Sequence, residues 1–407
     1  MTAPRSLRIL MVAPQPFFRP RGTPFSVLHR IRALASLGHR IDLITYPFGQ
    51  DVQIDGVRIV RSRRVPFVRD VRIGPSFEKL LLDLPLMWET WRACRAGRYE
   101  LIHSHEEAAF FCAPLARMYG IPHVYDMHSS LPQQLDNFRS FNLGVFRRAF
   151  AALERHVLTT CDGVITICQD LADIATRTAP DKPHAMIENT ADDSVVFASD
   201  LRTPQELTAL PPGRRIILYT GTFEPYQGLD LLLDAFATVC AHDEDAHLVL
   251  VGGRPEQVEA KRERAAALGL TGRVTFVGQV HPERIPAFIQ AAEIIVSPRS
   301  SGTNTPLKIY GYLRSGRPIV ATDLPTHTQT LDRSVAELVP ATADGLAAGM
   351  LRLLRDPEYG RRLAEAAQRL SEAKYSHEAY MRRVADFYDS VLRRLELRTR
   401  TMTAPAG

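Results

Sequence analysis

The feature that most constrains this chain is an alternation of short apolar runs with helix-spaced apolar residues, met once in the first half and again in the second. "LRILMVA" (7–13), "RIDLITY" (40–46), "ELIHSH", "HVYDM" and "GVITI" are each of strand length. Between the first two, Phe25, Leu28, Ile31, Leu34 and Ala35 recur at helical spacing and stop at Gly38. Continuously apolar strands that alternate with helices form parallel sheets covered on both faces. Residues 198–214, "ASDLRTPQELTALPPGR", lose the pattern and hold three prolines. The alternation then restarts with "RIILYTG", "AHLVLVGG", "RVTFVGQ", "AEIIVSP" and "RPIVATD". The expectation is two doubly wound, Rossmann-like α/β domains in series, 1–197 and 215–375, joined by a linker at 198–214. An amphipathic helix over 376–397, with Tyr380, Val384, Phe387, Val391 and Leu395 on one face, follows, and then a disordered tail from 398 to 407.

A chain of 407 residues exceeds one ordinary hydrophobic core, in keeping with two domains. The five cysteines (Cys94, Cys112, Cys161, Cys168, Cys240) are odd in number and lack ligand spacing, which points to a reducing cytosol. The opening apolar run is too short for a signal peptide, and no run of 18 apolar residues suggests a membrane span. The net charge of +5 is unevenly spread. Residues 58–72, "RIVRSRRVPFVRDVR", carry Arg58, Arg61, Arg63, Arg64, Arg69 and Arg72 against Asp70 alone. A solvated loop explains that run. So does attraction to an anionic membrane, since Val65, Pro66, Phe67 and Val68 set apolar groups among the charges. No nucleic-acid module accompanies it.

Ligands of such sheets bind beyond the carboxyl ends of the strands, and two such domains imply a cleft between them. The loop "RPRGTP" after the first strand offers Gly22 and a following helix to a phosphate. "YTGTFEPYQG" repeats the arrangement with Gly221 and Thr222, and lacks the G-x-G-x-x-G spacing of a dinucleotide site. "SPRSSGTNTPLK" (297–308) is the most informative loop. It predicts Thr305 as a helix cap and Pro306 as the first helical residue. Gly302, Thr303, Asn304 and Thr305 supply donors without bulk, and Arg299 and Lys308 add positive charge; together they suit a diphosphate. Gly311 falls inside the helix that follows, where glycine costs about 1 kcal/mol relative to alanine. In the first half, His103, His105, Asp126 and His128 gather at two neighbouring strand ends. They lack the i,i+4 histidine pair or cysteine partner that would argue for a metal.

These segments, taken in order, resemble the GT-B glycosyltransferases, in particular glycosyltransferase family four. "GTPFSVLHRIRALASLGHRIDLIT", "LIHSHEE", "YDMHSSLP", "YTGTFEPYQGLDLLLDAF", "LVGG", "VTFVGQV" and "SPRSSGTNTPLKIYGYLRSGRPIVATD" match the family's blocks over nearly the whole chain. The resemblance implies a UDP- or GDP-sugar donor on the C-terminal domain and a glycan, lipid-linked or polysaccharide-precursor acceptor on the N-terminal one. It also implies retention of anomeric configuration, no required metal or other cofactor, and a last helix that crosses back to the first domain. His128 is similar to the family's active-site histidine, which touches the transferred sugar, with Asp126 orienting its loop. Gly22, Gly221, Thr222, Asn304, Thr305 and Lys308 would bind the diphosphate, and Arg299 would support the leaving group.

The sequence departs from the family where a pair of glutamates falls on Thr303 and Gly311, and where the phosphate-gripping Arg and Lys fall near Thr222 and on Gln227. Either Gly311 marks a lost ribose contact, or its bare backbone is packed against, a reading that flanking Tyr310 and Tyr312 favour. The rival functions are a catalytically silent partner of another transferase and a sugar-nucleotide epimerase. The expected location is cytoplasmic, peripheral to the inner membrane face through residues 58–72.

Overall fold

The computed structural model describes residues 6–18, 22–68, 77–130, 132, 144–188, 207, 210–302 and 305–403. The chain divides into two compact units, residues 1–189 with 380–407, and residues 190–379.

The first unit holds a seven-stranded parallel sheet ordered β3-β2-β1-β4-β5-β6-β7. Its strands are β1 (Arg8–Ala13), β2 (Arg40–Thr45), β3 (Val57–Arg61), β4 (Leu101–His105), β5 (His123–Met127), β6 (Gly163–Thr166) and β7 (His184–Met186). Three helices matter here: α1 (Gly22–Ser36), α2 (Phe77–Arg95) and, at the chain's end, α4 (His377–Thr403). Successive strand residues point to opposite faces. In β1, Ile9, Met11 and Ala13 therefore enter a core shared with Leu28 and Ile31 of α1 and with Tyr380, Val384, Phe387 and Val391 of α4. Leu10 and Val12 face the other way, toward Leu82 and Leu86 of α2. Burial on both faces explains why β1 reads as an unbroken apolar run.

The last helix thus belongs to the first unit, on the apolar stripe expected of it. It also runs on to Thr403, so residues 398–403 are helical where a disordered tail is expected from sequence. Gly163 permits its close approach. A Cβ there would lie 2.7 Å from Val391 Cγ2 and 2.9 Å from Phe387 Cζ.

The second unit holds a six-stranded parallel sheet ordered β10-β9-β8-β11-β12-β13. Its strands are β8 (Arg215–Thr220), β9 (Ala246–Val251), β10 (Val274–Gly278), β11 (Ile294–Ser297), β12 (Ile319–Thr322) and β13 (Glu337–Val339). Again both faces are covered, Ile217 and Tyr219 entering one core and Ile216 and Leu218 the other. A short helix, α3 (Lys308–Arg314), follows β11. Of the expected linker, only residues 207 and 210–214 are described.

The basic segment 58–72 differs from a free loop. Its first part is the edge strand β3. Arg58 donates to both carboxylate oxygens of Asp42, at 2.9 and 2.7 Å, and Arg61 donates to the carbonyls of Phe17, Phe48 and Gln50 and to Asp51. These two arginines are therefore committed to tying down the sheet edge. Arg63, Arg64 and Phe67 are exposed, Phe67 completely. Arg69, Asp70 and Arg72 lie outside the described residues. Among the described residues, no helix is long and apolar enough to cross a membrane.

Candidate active site

In the first unit, β4 and β5 run in parallel with His105 opposite Asp126. Alternation places His103, His105 and Asp126 on the face that carries α1 and α4, and His128 joins them just past the end of β5. Asp126 is the hub. Its Oδ2 accepts from Arg30 Nε at 2.9 Å and from His103 Nε2 at 3.2 Å, and its Oδ1 lies 3.2 Å from His128 Nε2. His105 Nδ1 and His128 Nε2 are hydrogen-bonded at 3.1 Å. On the far side, His103 Nδ1 meets the Tyr388 hydroxyl of α4 at 2.5 Å, and the Arg30 guanidinium lies over the Tyr380 ring. All these groups are buried.

Burial alone would raise the Asp126 pKa. The charge of Arg30 and the bonds from His128 and His103 outweigh it and hold the carboxyl well below its usual range. Burial lowers His103 and, more strongly, His105, so both rings are neutral near pH 7. Ligand atoms of His103, His105 and Asp126 lie within 4.8 Å of one another, close enough to hold a metal ion. The guanidinium of Arg30 already supplies the cation on Oδ2.

Glu106, the residue after β4, was not singled out by sequence reasoning. It adopts a left-handed backbone (φ 49°), and its carboxylate accepts from Thr23 Oγ1 at 3.3 Å. Burial and the charge of neighbouring Glu107 raise its pKa. Since Thr23 is the second residue of α1, the N-terminus beside Gly22 already faces a carboxylate, the kind of group a helix start attracts. Arg30 and Tyr388 escaped notice as well. Arg30 sits within the apolar periodicity of α1, and Tyr388 is 285 positions from His103.

In the second unit, the ends of β8 and β11 converge with the start of α3. Lys308 Nζ donates to the Thr220 carbonyl at 3.1 Å and sits 4.0 Å over the Tyr219 ring. It would lie 3.4 Å from a Cβ built on Gly221, whose φ of +140° is one that side chains avoid. Arg299 donates to Thr326 Oγ1 at 2.6 Å and stacks over Tyr226. Gly302 approaches the same guanidinium, within 3.0 Å of its Cβ position. Lys308 remains partly open to solvent. Even so, burial of its ammonium, and then the charge of Arg299, hold its pKa well below the usual value. Arg299 is lowered by burial as well.

The other expected residues divide. Thr222 lies in this loop, but its carbonyl accepts from the Tyr219 hydroxyl at 2.7 Å and its hydroxyl from Gln227 at 3.4 Å. Thr305 is not a helix cap. The helix begins at Lys308 with Leu307 before it, and the Thr305 hydroxyl pairs with Thr330 at 3.3 Å. Thr303 and Asn304 lie outside the described residues. At Gly311 the crowding expected from its neighbours is absent, since nothing lies within 4 Å of the position of a Cβ. Tyr310 and Tyr312 turn inward instead, Tyr310 against Tyr375 and Tyr312 toward Thr220.

Two family models match this chain, "Glycosyltransferase Family 4" over residues 20–194 and "Glycosyl transferases group 1" over residues 214–356. The chain is a family 4, group 1 glycosyltransferase. Its relatives include the phosphatidyl-myo-inositol mannosyltransferase of Mycobacterium leprae, 25% identical over 86% of this chain and 88% of that protein. Another is the alpha-D-kanosaminyltransferase of Streptomyces kanamyceticus, 27% identical over 71% and 77%. Among solved structures, sucrose-phosphate synthase from Thermosynechococcus elongatus superposes with a TM-score of 0.75 at 21% identity, covering 95% of this chain and 99% of that one. Anabaena HepE, solved in complex with UDP, gives 0.73 at 16% identity over 94% and 100%. These likenesses establish the GT-B fold for this glycosyltransferase. They favour neither a silent partner nor an epimerase.

Proposed function

We propose that this glycosyltransferase takes its sugar from a UDP- or GDP-sugar, grips the diphosphate with Lys308 and Arg299, and transfers the sugar with retention to a glycan or lipid-linked acceptor. The observation that carries this reading is Lys308. Its ammonium meets only a carbonyl and an aromatic ring among the described residues, beside a second cation and over a bare glycine. Charge of that kind is costly until an anion arrives. As the sugar–oxygen bond breaks, the leaving diphosphate gains negative charge, which these two cations stabilise. Gly221 lets the phosphates approach the backbone. His128, aimed by Asp126, positions the sugar, and no carboxylate nucleophile or metal is invoked. Gly22 is left out of the diphosphate grip, since Glu106 faces that helix start. UDP binding by HepE and the lipid acceptor named for the mannosyltransferase support the donor and acceptor classes.

Released nucleotide, measured for UDP- and GDP-sugars with and without acceptors, tests this. Acceptor-dependent release, with the anomeric configuration kept in the product, is expected. Nucleotide binding without release under any donor would favour a silent partner instead. His128→Ala is expected to lower turnover far more than nucleotide affinity.

For the acceptor's membrane, the outer face of α2 is a better candidate than segment 58–72. Leu80, Leu84, Met87 and Trp88 are exposed at helical spacing. The Trp88 and Trp91 rings lie 4.9 Å apart, tilted by 35°, and Arg95 lies over Trp91 beside Arg92. Tryptophan, aliphatic and arginine side chains on one face suit an anionic lipid surface. Salt-sensitive co-sedimentation with phosphatidylglycerol vesicles, abolished in Trp88→Glu and absent with phosphatidylcholine, is expected. Equal binding to both vesicles counts against it.

A further inference from the structure

We propose that Thr326, in the segment after β12, is a positioning residue for Arg299 that holds its guanidinium beside Lys308. The inference rests on the role given to Arg299 above. Arg299 Nη1 donates to Thr326 Oγ1 at 2.6 Å, and Thr326 is fully buried.

Both ends of Arg299 are tied to that one segment. At the main-chain end, Thr322 Oγ1 donates to the Arg299 carbonyl at 2.7 Å. At the guanidinium end stands Thr326, four residues further on. His327 makes the segment rigid. A carbonyl can only accept, so His327 Nδ1 carries a proton and donates to the Thr322 carbonyl at 2.9 Å; the same nitrogen lies 3.1 Å from Thr322 Oγ1. Burial lowers the pKa of this ring to about 4, so it is neutral near pH 7. Nε2 therefore keeps a lone pair, which accepts from the Ser297 hydroxyl at 2.8 Å. Ser297 ends β11 and Thr322 ends β12. One buried ring thus joins the two strand ends from which the Arg299 and Thr326 segments leave.

Such a tether is needed because Lys308 feels the charge of Arg299, and two like charges draw apart unless something holds them. The Tyr226 ring, 5.2 Å from the guanidinium carbon, attracts the cation without fixing where each nitrogen points. The Thr326 hydroxyl fixes one of them. A cation placed in advance loses little freedom when a diphosphate arrives, so more of the attraction appears as affinity.

The test uses Thr326→Val in the full chain, which keeps the branched shape and removes the hydroxyl. Arginine Nε–H NMR is recorded on the protein alone, with the Arg299 signal assigned by its loss in Arg299→Met. In Thr326→Val that signal is expected to move from a dispersed position toward that of a mobile arginine. An unmoved signal overturns the proposal. In calorimetric titrations with UDP and GDP, affinity is expected to fall about tenfold, the loss of one hydrogen bond to a charged group. Thr326→Ser should restore it. In an Arg299→Met background, Thr326→Val should leave the remaining affinity unaltered, because its effect runs through the missing guanidinium. Equal losses in both backgrounds, or a loss that Thr326→Ser does not restore, overturn it. If neither nucleotide binds the native protein, the donor reading fails, and the NMR result still decides whether Thr326 places Arg299.

Discussion

The carboxyl ends of the two sheets carry the same kinds of groups in opposite states. In the first unit a fully buried acid, Asp126, is met by Arg30 and surrounded by three histidines. In the second, Lys308 and Arg299 stand together, and among the described residues the Lys308 ammonium meets a carbonyl and a ring. In the first arrangement the acid has its counter-cation within the fold; in the second, on the reading proposed above, a bound anion would supply the counter-charge. On the function proposed above, one region would hold a side chain in place and the other would capture a charged substrate. Removing a cation should therefore have opposite consequences in the two.

The largest contrast comes from Arg30→Met. It strands a buried carboxylate, so the melting temperature should fall by the equivalent of about 3–5 kcal/mol, measured by calorimetry at pH 7. Stability unchanged within error would break the comparison at its first term. Lys308→Met should leave the unliganded protein as stable as before or slightly more so, while nucleoside-diphosphate affinity falls by roughly tenfold to a hundredfold. A large loss of stability here would show that the lysine is structural.

The same lysine gives the comparison a pH signature. Its folded pKa lies below that of an unfolded lysine, about 10.4. Between those two values the unfolded chain holds the extra proton, so this group makes stability rise with pH. A bound diphosphate raises the folded pKa, so binding in that window takes up a proton. Titration calorimetry in two buffers of different ionisation enthalpy detects the uptake, which Lys308→Met should abolish. The smallest effect is at Gly311. With open space at its Cβ position, Gly311→Ala should stabilise the protein by up to about 1 kcal/mol, and Gly311→Glu should be tolerated. A destabilised alanine variant would restore the packing reading.

Much of this was legible in the sequence because strands buried on both faces are written as continuous apolar runs. The exceptions are short or placed at an edge or next to one. β3 interleaves arginines with Val57, Ile59 and Val60, so its charges masked its strand character, and β7 and β13 have three residues each. His103, His105, Asp126 and His128 were visible as a group because the ends of neighbouring strands meet in any parallel sheet. Their connection to Arg30 and Tyr388 was not visible, since it depends on where two helices land. Thr305 misled for a local reason. Thr-Pro looks like a helix start, but the chain takes one more turn through Pro306 and Leu307 before α3 begins. In segment 58–72 composition did not reveal that Arg58 and Arg61 also bond Asp42, Asp51 and backbone carbonyls of the sheet edge.

The seat of α4 against β1 and α1 also has a consequence for the order of synthesis. Tyr380, Val384, Phe387 and Val391 complete a core whose other members, from Leu7 to Ile187, leave the ribosome first. The intervening residues 190–379 form the second unit, and at ordinary elongation rates they take roughly 10–40 s to make. During that interval the apolar face that will receive α4, including the bare backbone of Gly163, has no cover from its own chain. The first unit's core therefore stays incomplete until α4 has been made, whereas the second unit emerges with its core residues already in hand.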